Sequence, residues 1–357
     1  YTPPAQYVPS KNVGRKYFTD LDGCKNDALS IYSIITSRFE FTASNIDTLF
    51  DASANRDGIL NAMNNLLKKS KPNDIVFIYY AGHGSQVKNS LSFELDKLDQ
   101  TIVPANTWEE GVKDIRDKEL SKIFNDFLDN NINLTIIFDC CHSGSISRGP
   151  NTTPGKLRYM PIANWDAKDA SKYQVPEKRE GNKFLIFSAA QSDEFAAEQR
   201  DDEGIAHGAF TAALTEALNQ QSVDASALNI FTSARAILKS NGKKQEPVIG
   251  GTMKRQGQTL FGIKKGTLND YSVVAVSGIK GNNVQLQAGF ALGLYKENEL
   301  AMLNDKKDTL FKLTIDSVLG VNNSLASVTK GNIKNIKPAG VEEGNNTVNF
   351  IRFFLCK

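Results

Sequence analysis

The sequence lacks any apolar run approaching the roughly 20 residues that a membrane-spanning helix needs, so nothing in it reads as a helical anchor. It lacks a charge surplus. Lysine and arginine number 42 against 40 aspartates and glutamates, a net charge of +2, which leaves no case for nucleic acid as a partner. Two small basic clusters, Lys68-Lys69 and Lys264-Lys265, are expected to cap the ends of a helix and a strand. Cysteine is scarce, four residues with two of them adjacent. That is no disulfide framework, and it favours a reducing, cytoplasmic compartment. No secretory signal is visible, although a removed one would leave no trace.

What is present suits one large or two moderate globular domains: 357 residues, 40% hydrophobic and 23% charged. Residues 1–16 are polar and Pro-rich and read as a loop. Ala28, Ile31, Tyr32, Ile35 and Phe39 then recur at helical spacing, as do Ile59, Met63, Leu66 and Leu67. Residues 75–80 form an apolar strand that closes on Gly82-His83-Gly84. Residues 101–104 predict a short strand. Leu120, Ile123, Phe124, Phe127 and Leu128 predict a third helix. The run from Leu134 to Phe138 is dense enough for a strand buried on both faces, and it closes on Asp139-Cys140-Cys141-His142. Residues 145–182 show no periodicity and carry several basic side chains, Arg148, Lys156 and Arg158 among them. A further buried strand (183–188), two helices and a last strand at 258–263 follow. Helices alternating with buried strands predict a parallel sheet with crossover helices. From about Gly266 the texture changes to strand-like runs between Gly and Asn turns, which predicts an all-β module, barrel or sandwich.

Two buried strands that deliver a histidine and a cysteine to one sheet edge suggest a thiol nucleophile and its base. His83 is the expected base and Cys141 the expected nucleophile. His142 and Cys140 are the rivals. Strand alternation lets only one of the two cysteines face a cleft. The backbone N–H groups of Gly84 and Cys141 are natural oxyanion donors. Asp27 and Asp139, if they line one pocket near the thiol, would favour a lysine or arginine side chain. The plainer alternatives are a helix-start acid for Asp27, a turn acid for Asp139, and packing roles for the cysteines. Zinc is disfavoured because Cys140-Cys141-His142 has no spaced C-x-x-C partner.

The segments YAGHG and DCCHSG, with LDGCKND, FSAAQSDEFAAE, HGAF and QEP, resemble the metacaspases and their bacterial relatives the orthocaspases, within the caspase-like cysteine peptidases. The resemblance covers roughly Tyr1 to Ile263. It implies a caspase-like α/β/α sandwich with a mostly parallel sheet over residues 1–264, followed by an all-β domain at 266–357. It implies cleavage after Arg or Lys, with His83 and Cys141 as the catalytic pair and Asp27 and Asp139 in the specificity pocket. Cys24 matches a pocket neighbour, and Ala81 stands where the family often has serine. Many members need calcium. Here Asp99 and Asp117 match family acids but Lys118 replaces another, so no metal or other cofactor is expected. Tyr1 looks like the end of the family's first-strand motif, which suggests that this strand lies upstream. Self-cleavage within 145–182 is expected, and the β module is a candidate surface for a regulatory partner. A catalytically silent caspase-like scaffold and a peptide ligase that uses the same acyl-enzyme are the alternatives.

Overall fold

The computed structural model describes residues 1–7, 15, 19–92, 96–141, 156–168, 179, 181–191, 194–266, 271–274, 276–289, 294–303, 309–320, 323–332 and 351–356. Tertiary packing divides the chain into two compact units. One comprises Tyr1–Ala212 with Gln245–Lys265, the other Ala213–Lys244 with Gly266–Lys357. The later stretch of the second unit begins at Gly266. The stretch 213–244, which the sequence alone groups with the first domain, clusters with the second unit.

In chain order the elements are α1 (Cys24–Arg38), α2 (Arg56–Lys69), β1 (Ile75–Ala81), β2 (Gly84–Lys88), β3 (Leu98–Ile102), β4 (Ile115–Arg116), α3 (Asp117–Asp129), β5 (Asn133–Asp139), β6 (Phe184–Ser188), β7 (Glu198–Arg200), β8 (Ala206–Gly208), α4 (Ala209–Gln220), α5 (Ala227–Ser240), β9 (Val248–Gly250) and α6 (Met253–Gln256). The strands of the β module follow them. The central sheet of the first unit runs β1-β5-β6-β9. β1, β5 and β6 are parallel and β9 is antiparallel at the edge.

Side-chain alternation along β1 explains its two helical layers. Val76 and Ile78 face a core made with Ile59 and Met63 of α2, Leu120, Ile123, Phe124 and Phe127 of α3, and Leu134, Ile136 and Phe138 of β5. Phe77 points the other way and meets Phe41 and Phe261. Next to Phe77 on that face, the Tyr79 hydroxyl bonds the Thr211 hydroxyl at 2.7 Å. β5 is buried over every residue but its first, as expected for a strand covered on both faces. Local chemistry sets the helix ends. The Asn55 side chain accepts the Gly58 N–H (2.8 Å) at the start of α2, worth about 1 kcal/mol. Lys68 and Lys69 lie in the last turn of that helix, where cations suit the dipole.

Residues 258–263 are not the last strand that their composition suggests. α6 ends at Gly257. The Arg255 guanidinium then takes the carbonyls of Thr259 (3.0 Å) and Leu260 (2.6 Å), so a buried cation satisfies carbonyls that a strand neighbour would otherwise take. Phe261 completes the aromatic cluster with Phe39, Phe41 and Phe77. The edge strand is β9 instead.

The second unit holds β10 (Tyr271–Val274), β11 (Val276–Lys280), β12 (Asn283–Leu286), β13 (Glu299–Leu303), β14 (Thr309–Val318), β15 (Ser324–Lys330) and β16 (Ile351–Cys356). They form one antiparallel sheet in the order β10-β16-β13-β14-β15-β12-β11. Its two edge strands are consecutive in the chain. Val274 ends one edge and Val276 starts the other, and two peptide units span at most about 7.6 Å. One end of each edge strand therefore lies close to the other in space. Leu286, Leu300, Phe311, Leu313 and Ile315 are in the core of this unit, and α5 packs beside β10.

Candidate active site

The parallel pairing of β1 with β5 places Ala81 opposite Asp139. Both strands therefore end level, and the residues just beyond them, His83 and Cys141, leave the sheet at the same edge. His83 is buried. Its Nε2 lies 2.7 Å from the Thr19 carbonyl oxygen. A carbonyl can only accept, so Nε2 carries the proton and Nδ1 is the basic nitrogen. Nδ1 is buried with no hydrogen-bond partner. The Tyr1 ring stands edge-on to the imidazole, with centroids 4.7 Å apart. The Tyr80 hydroxyl donates to the His83 carbonyl (2.7 Å). Burial, aided by the Arg15 and Arg158 charges and opposed by the Thr19 bond, lowers the His83 pKa to about 4.

Cys141 is fully buried, and its thiol donates to the Ala196 carbonyl at 3.3 Å. Burial pushes this thiol up to about 12, against the pull of the Ala196 bond. Cys140 belongs to the apolar core under β5, so the neighbours do face different surroundings. Burial raises its pKa well above a free thiol. His142 and residues 145–155 lie outside the described residues.

Between the strand ends sits a side chain that the motif reading did not single out. Arg158 is completely buried. Its guanidinium pairs with Asp27, with Asp139 Oδ2 (3.3 Å) and with Glu198 Oε1 (3.4 Å), and donates to the Asp139 carbonyl (3.1 Å). Asp27 and Asp139 therefore share one pocket, and the pocket holds a guanidinium. Asp27 comes from the first turn of α1, and it also accepts from the Gly208 N–H (2.9 Å) and bonds His207 Nδ1 (3.0 Å). Asp139 accepts from the Thr211 N–H (3.0 Å) and hydroxyl (2.6 Å). Glu198 accepts from the Asp22 (3.0 Å) and Gly23 (2.8 Å) N–H groups. Position 208 must be glycine, because a Cβ there would sit 2.3 Å from Asp139 Oδ2 and 2.6 Å from the Arg158 guanidinium carbon.

Charge follows from this packing. Burial works against the Arg158 cation, but the surrounding acids, Asp139 foremost, hold its pKa well above normal. Burial pushes the Asp139 carboxyl up while the Arg158 charge pulls it back. The hydrogen bond to Asp27 raises His207. Cys24, at the start of α1, is partly buried, and desolvation is the chief cause that raises its thiol to about 12. Ala81 contributes no polar atom. The Arg158 carbonyl oxygen, at the other end of the same residue, accepts from the Gly84 N–H (2.9 Å) and the Cys141 N–H (3.1 Å). Those are the two donors expected to form an oxyanion hole.

Residues 12–150 match the profile described as "Metacaspase, peptidase C14 domain". These residues are similar to the metacaspase peptidase domain. The chain is similar to metacaspase-1 of Plasmodium falciparum, 36% identical over 37% of this chain and 22% of that protein. It is similar to metacaspase-1 of Saccharomyces cerevisiae at 33% identity over 41% of this chain and 33% of the relative. It is also similar to metacaspase-2 of Trypanosoma brucei brucei, 28% identical over 70% of this chain and 74% of the relative. The chain thus spans a third or less of the first two relatives. A solved protein of Geobacter sulfurreducens shares the fold, with a TM-score of 0.53 at 21% identity over 71% of this chain and 96% of that one.

Metacaspases are cysteine peptidases. Of the pocket groups here, Asp27, Asp139, His83 and Cys141 lie within the matched metacaspase segment, while Arg158, Glu198 and His207 lie beyond it. Glu198 and His207 fall in FSAAQSDEFAAE and HGAF, so the signal for them was present in the sequence. Arg158 and Thr19 fall in no motif.

The acids matched to calcium ligands of the metacaspases are already neutralised in this chain. Asp99 is fully buried and pairs with Arg116 (3.4 Å) and Lys118 (3.6 Å). It also accepts from the Asn89 amide (2.9 Å). The Lys118 ammonium lies 2.8 Å from Asp117. Burial lifts the Asp117 carboxyl to about 6 despite that ammonium. Calcium takes six to eight oxygen ligands, and nearby cations repel it. Two cations on Asp99 do not fit that donor set.

Proposed function

We propose that this chain is a cysteine endopeptidase that cleaves protein substrates after Arg or Lys, and that it processes itself within residues 145–182. One observation carries the reading: a single arginine places its guanidinium among Asp27, Asp139 and Glu198 while its carbonyl oxygen meets the N–H groups of Gly84 and Cys141. A substrate residue must present the same two ends at once, a cation for selection and a carbonyl for attack.

The chemistry follows from the tautomer. Nδ1 of His83 takes the Cys141 proton, and the thiolate adds to the carbonyl carbon. The negative oxygen is held by the two N–H groups, donors that are worth about 10²–10³ in rate each in acyl transfer. The imidazolium returns its proton to the leaving amine, water hydrolyses the thioester, and His83 takes up the proton that water gives. Thr19 keeps the imidazole in the required tautomer throughout. The chain is calcium-independent, because Arg116 and Lys118 supply the positive charge at Asp99. Cys24, Cys140 and Cys141 are free thiols, in keeping with a reducing cytoplasm.

The test is fluorophore release from peptides ending in Arg, Lys or Asp, with calcium or chelator, by wild type and Cys141→Ala. Release after Arg and Lys only, absent in the variant and indifferent to chelator, is expected. Release after Asp would overturn the pocket assignment, and equal rates in both chains would overturn the nucleophile.

A further inference from the structure

The backbone around Arg158 is held as firmly as its side chain. The Arg158 N–H donates to the Ala196 carbonyl (2.9 Å), and the Glu198 N–H donates to the Lys156 carbonyl (2.8 Å). Leu157 thereby pairs antiparallel with Ala197. On the other side the Met160 N–H donates to the Gly84 carbonyl (3.0 Å), and Tyr159 bridges Gly84. Residues 156–160 thus run through the cleft as an added strand, bonded on both sides of the one carbonyl that faces the oxyanion donors. Peptides bind sheet edges in this way, with backbone bonds for affinity and pockets for alternate side chains.

Two alternate side chains do have acidic receptors. Arg158 has the buried trio of Asp27, Asp139 and Glu198. Lys156, two residues upstream, donates to Asp22 Oδ1 and to the Asp20 carbonyl, both at 2.8 Å. Lys156 and Asp22 are each about two-fifths exposed, so this second receptor is open to solvent.

We infer that residues 156–160 are the chain's own substrate seated in cis, that Arg158–Tyr159 is the bond it cuts, and that Asp22 reads a basic residue two positions before the cut. The inference rests on the peptidase reading above and goes further by naming the bond, the register and a second specificity residue. The step balances without any co-reactant but water. The Cys141 proton passes to His83 Nδ1, a bond forms between Sγ and the Arg158 carbonyl carbon, and the bond to the Tyr159 nitrogen breaks. That nitrogen takes the proton from His83 and becomes a new α-amine. Water then releases the Arg158 carboxylate and regenerates the thiol. Until the cut, Arg158 fills the acidic pocket and both oxyanion donors, so an outside peptide finds no place to bind. The uncut chain is a precursor whose plug is its first substrate.

The experiment follows the full-length wild type, Cys141→Ala, Arg158→Gln and Arg158→Lys over time by intact mass and N-terminal sequencing, alongside release from an Arg peptide. Wild type and Arg158→Lys are expected to yield a fragment that begins at Tyr159, with peptide cleavage rising in step. Cys141→Ala and Arg158→Gln should yield none. Arg158→Lys keeps a cation in the pocket, so the result survives even if Arg158→Gln fails to fold. Asp22→Asn should lower the ratio of kcat/KM for Lys-x-Arg over Ala-x-Arg peptides by about two- to five-fold, the range for an exposed ion pair. An unchanged ratio removes Asp22 from the site. A wild type that cleaves Arg peptides with its Arg158–Tyr159 bond intact overturns the inference and leaves the peptidase standing. A wild type that never cuts itself, and cleaves no peptide even after brief trypsin opens that bond, overturns both.

Discussion

Replacing Arg158 by Gln in a Cys141→Ala background removes the buried cation without any self-cleavage to confuse the result. The guanidinium leaves three acids behind, Asp27, Asp139 and Glu198. Removing one partner of a buried ion pair costs about 3–5 kcal/mol. The lower end applies here, because every acid keeps other donors: Gly208 and His207 on Asp27, both Thr211 groups on Asp139, and the Asp22 and Gly23 amides on Glu198. A loss of about 3 kcal/mol in a unit of this size lowers Tm by roughly 6–12 °C. The sign of the pH dependence is fixed. Burial already holds the Asp139 carboxyl above its ordinary value with the cation present, and without it the folded-state pKa rises further. A carboxyl with a raised folded pKa stabilises the fold at low pH, and that contribution is lost as pH rises through the folded value. The Tm gap between variant and parent should therefore be larger at pH 8 than at pH 5. Agmatine, a free guanidinium on a short alkyl chain, should close part of the gap, by about 2.7 kcal/mol at a hundred times its Kd. Thermal denaturation at both pH values, with and without agmatine, is the assay. A variant within about 1 °C of its parent at pH 8, with no response to agmatine, would refute the argument that these acids form a cation pocket.

Two further outcomes are expected. In His83→Ala, which lacks the base and stays uncut, iodoacetamide at pH 7.5 should modify Cys141 at least tenfold more slowly than an exposed thiol. Burial and a pKa of about 12 leave almost no thiolate there, and rapid labelling on peptide mapping would contradict the buried, protonated thiol. Lys118→Ala should make Tm respond to millimolar calcium where wild type does not, since it removes the ammonium shared by Asp99 and Asp117. Equal responses from both chains would defeat the assignment of Lys118 as the built-in cation.

The parts of this protein that local sequence determined are those whose physics is local. Val76 and Ile78 alternate with Phe77 and Tyr79, so β1 had to be covered on both sides. The run from Leu134 to Phe138 could only be a buried strand, and its end had to bring Asp139 and Cys141 to the sheet edge. The helix faces were legible for the same reason. The reading of 258–263 as a strand failed because the carbonyls of Thr259 and Leu260 are taken by Arg255, whose position depends on tertiary packing. The site divides along the same line. His83, Cys141, Asp27 and Asp139 stand in motifs. Thr19 acts through a backbone carbonyl, which no side chain announces. Arg158 sits 131 residues from Asp27, 19 from Asp139 and 40 from Glu198. A charge paired over such separations leaves no periodicity in the sequence. Which of the basic residues in 145–182 would enter the pocket was decided only when the folded chain closed the loop and placed one guanidinium among three buried acids.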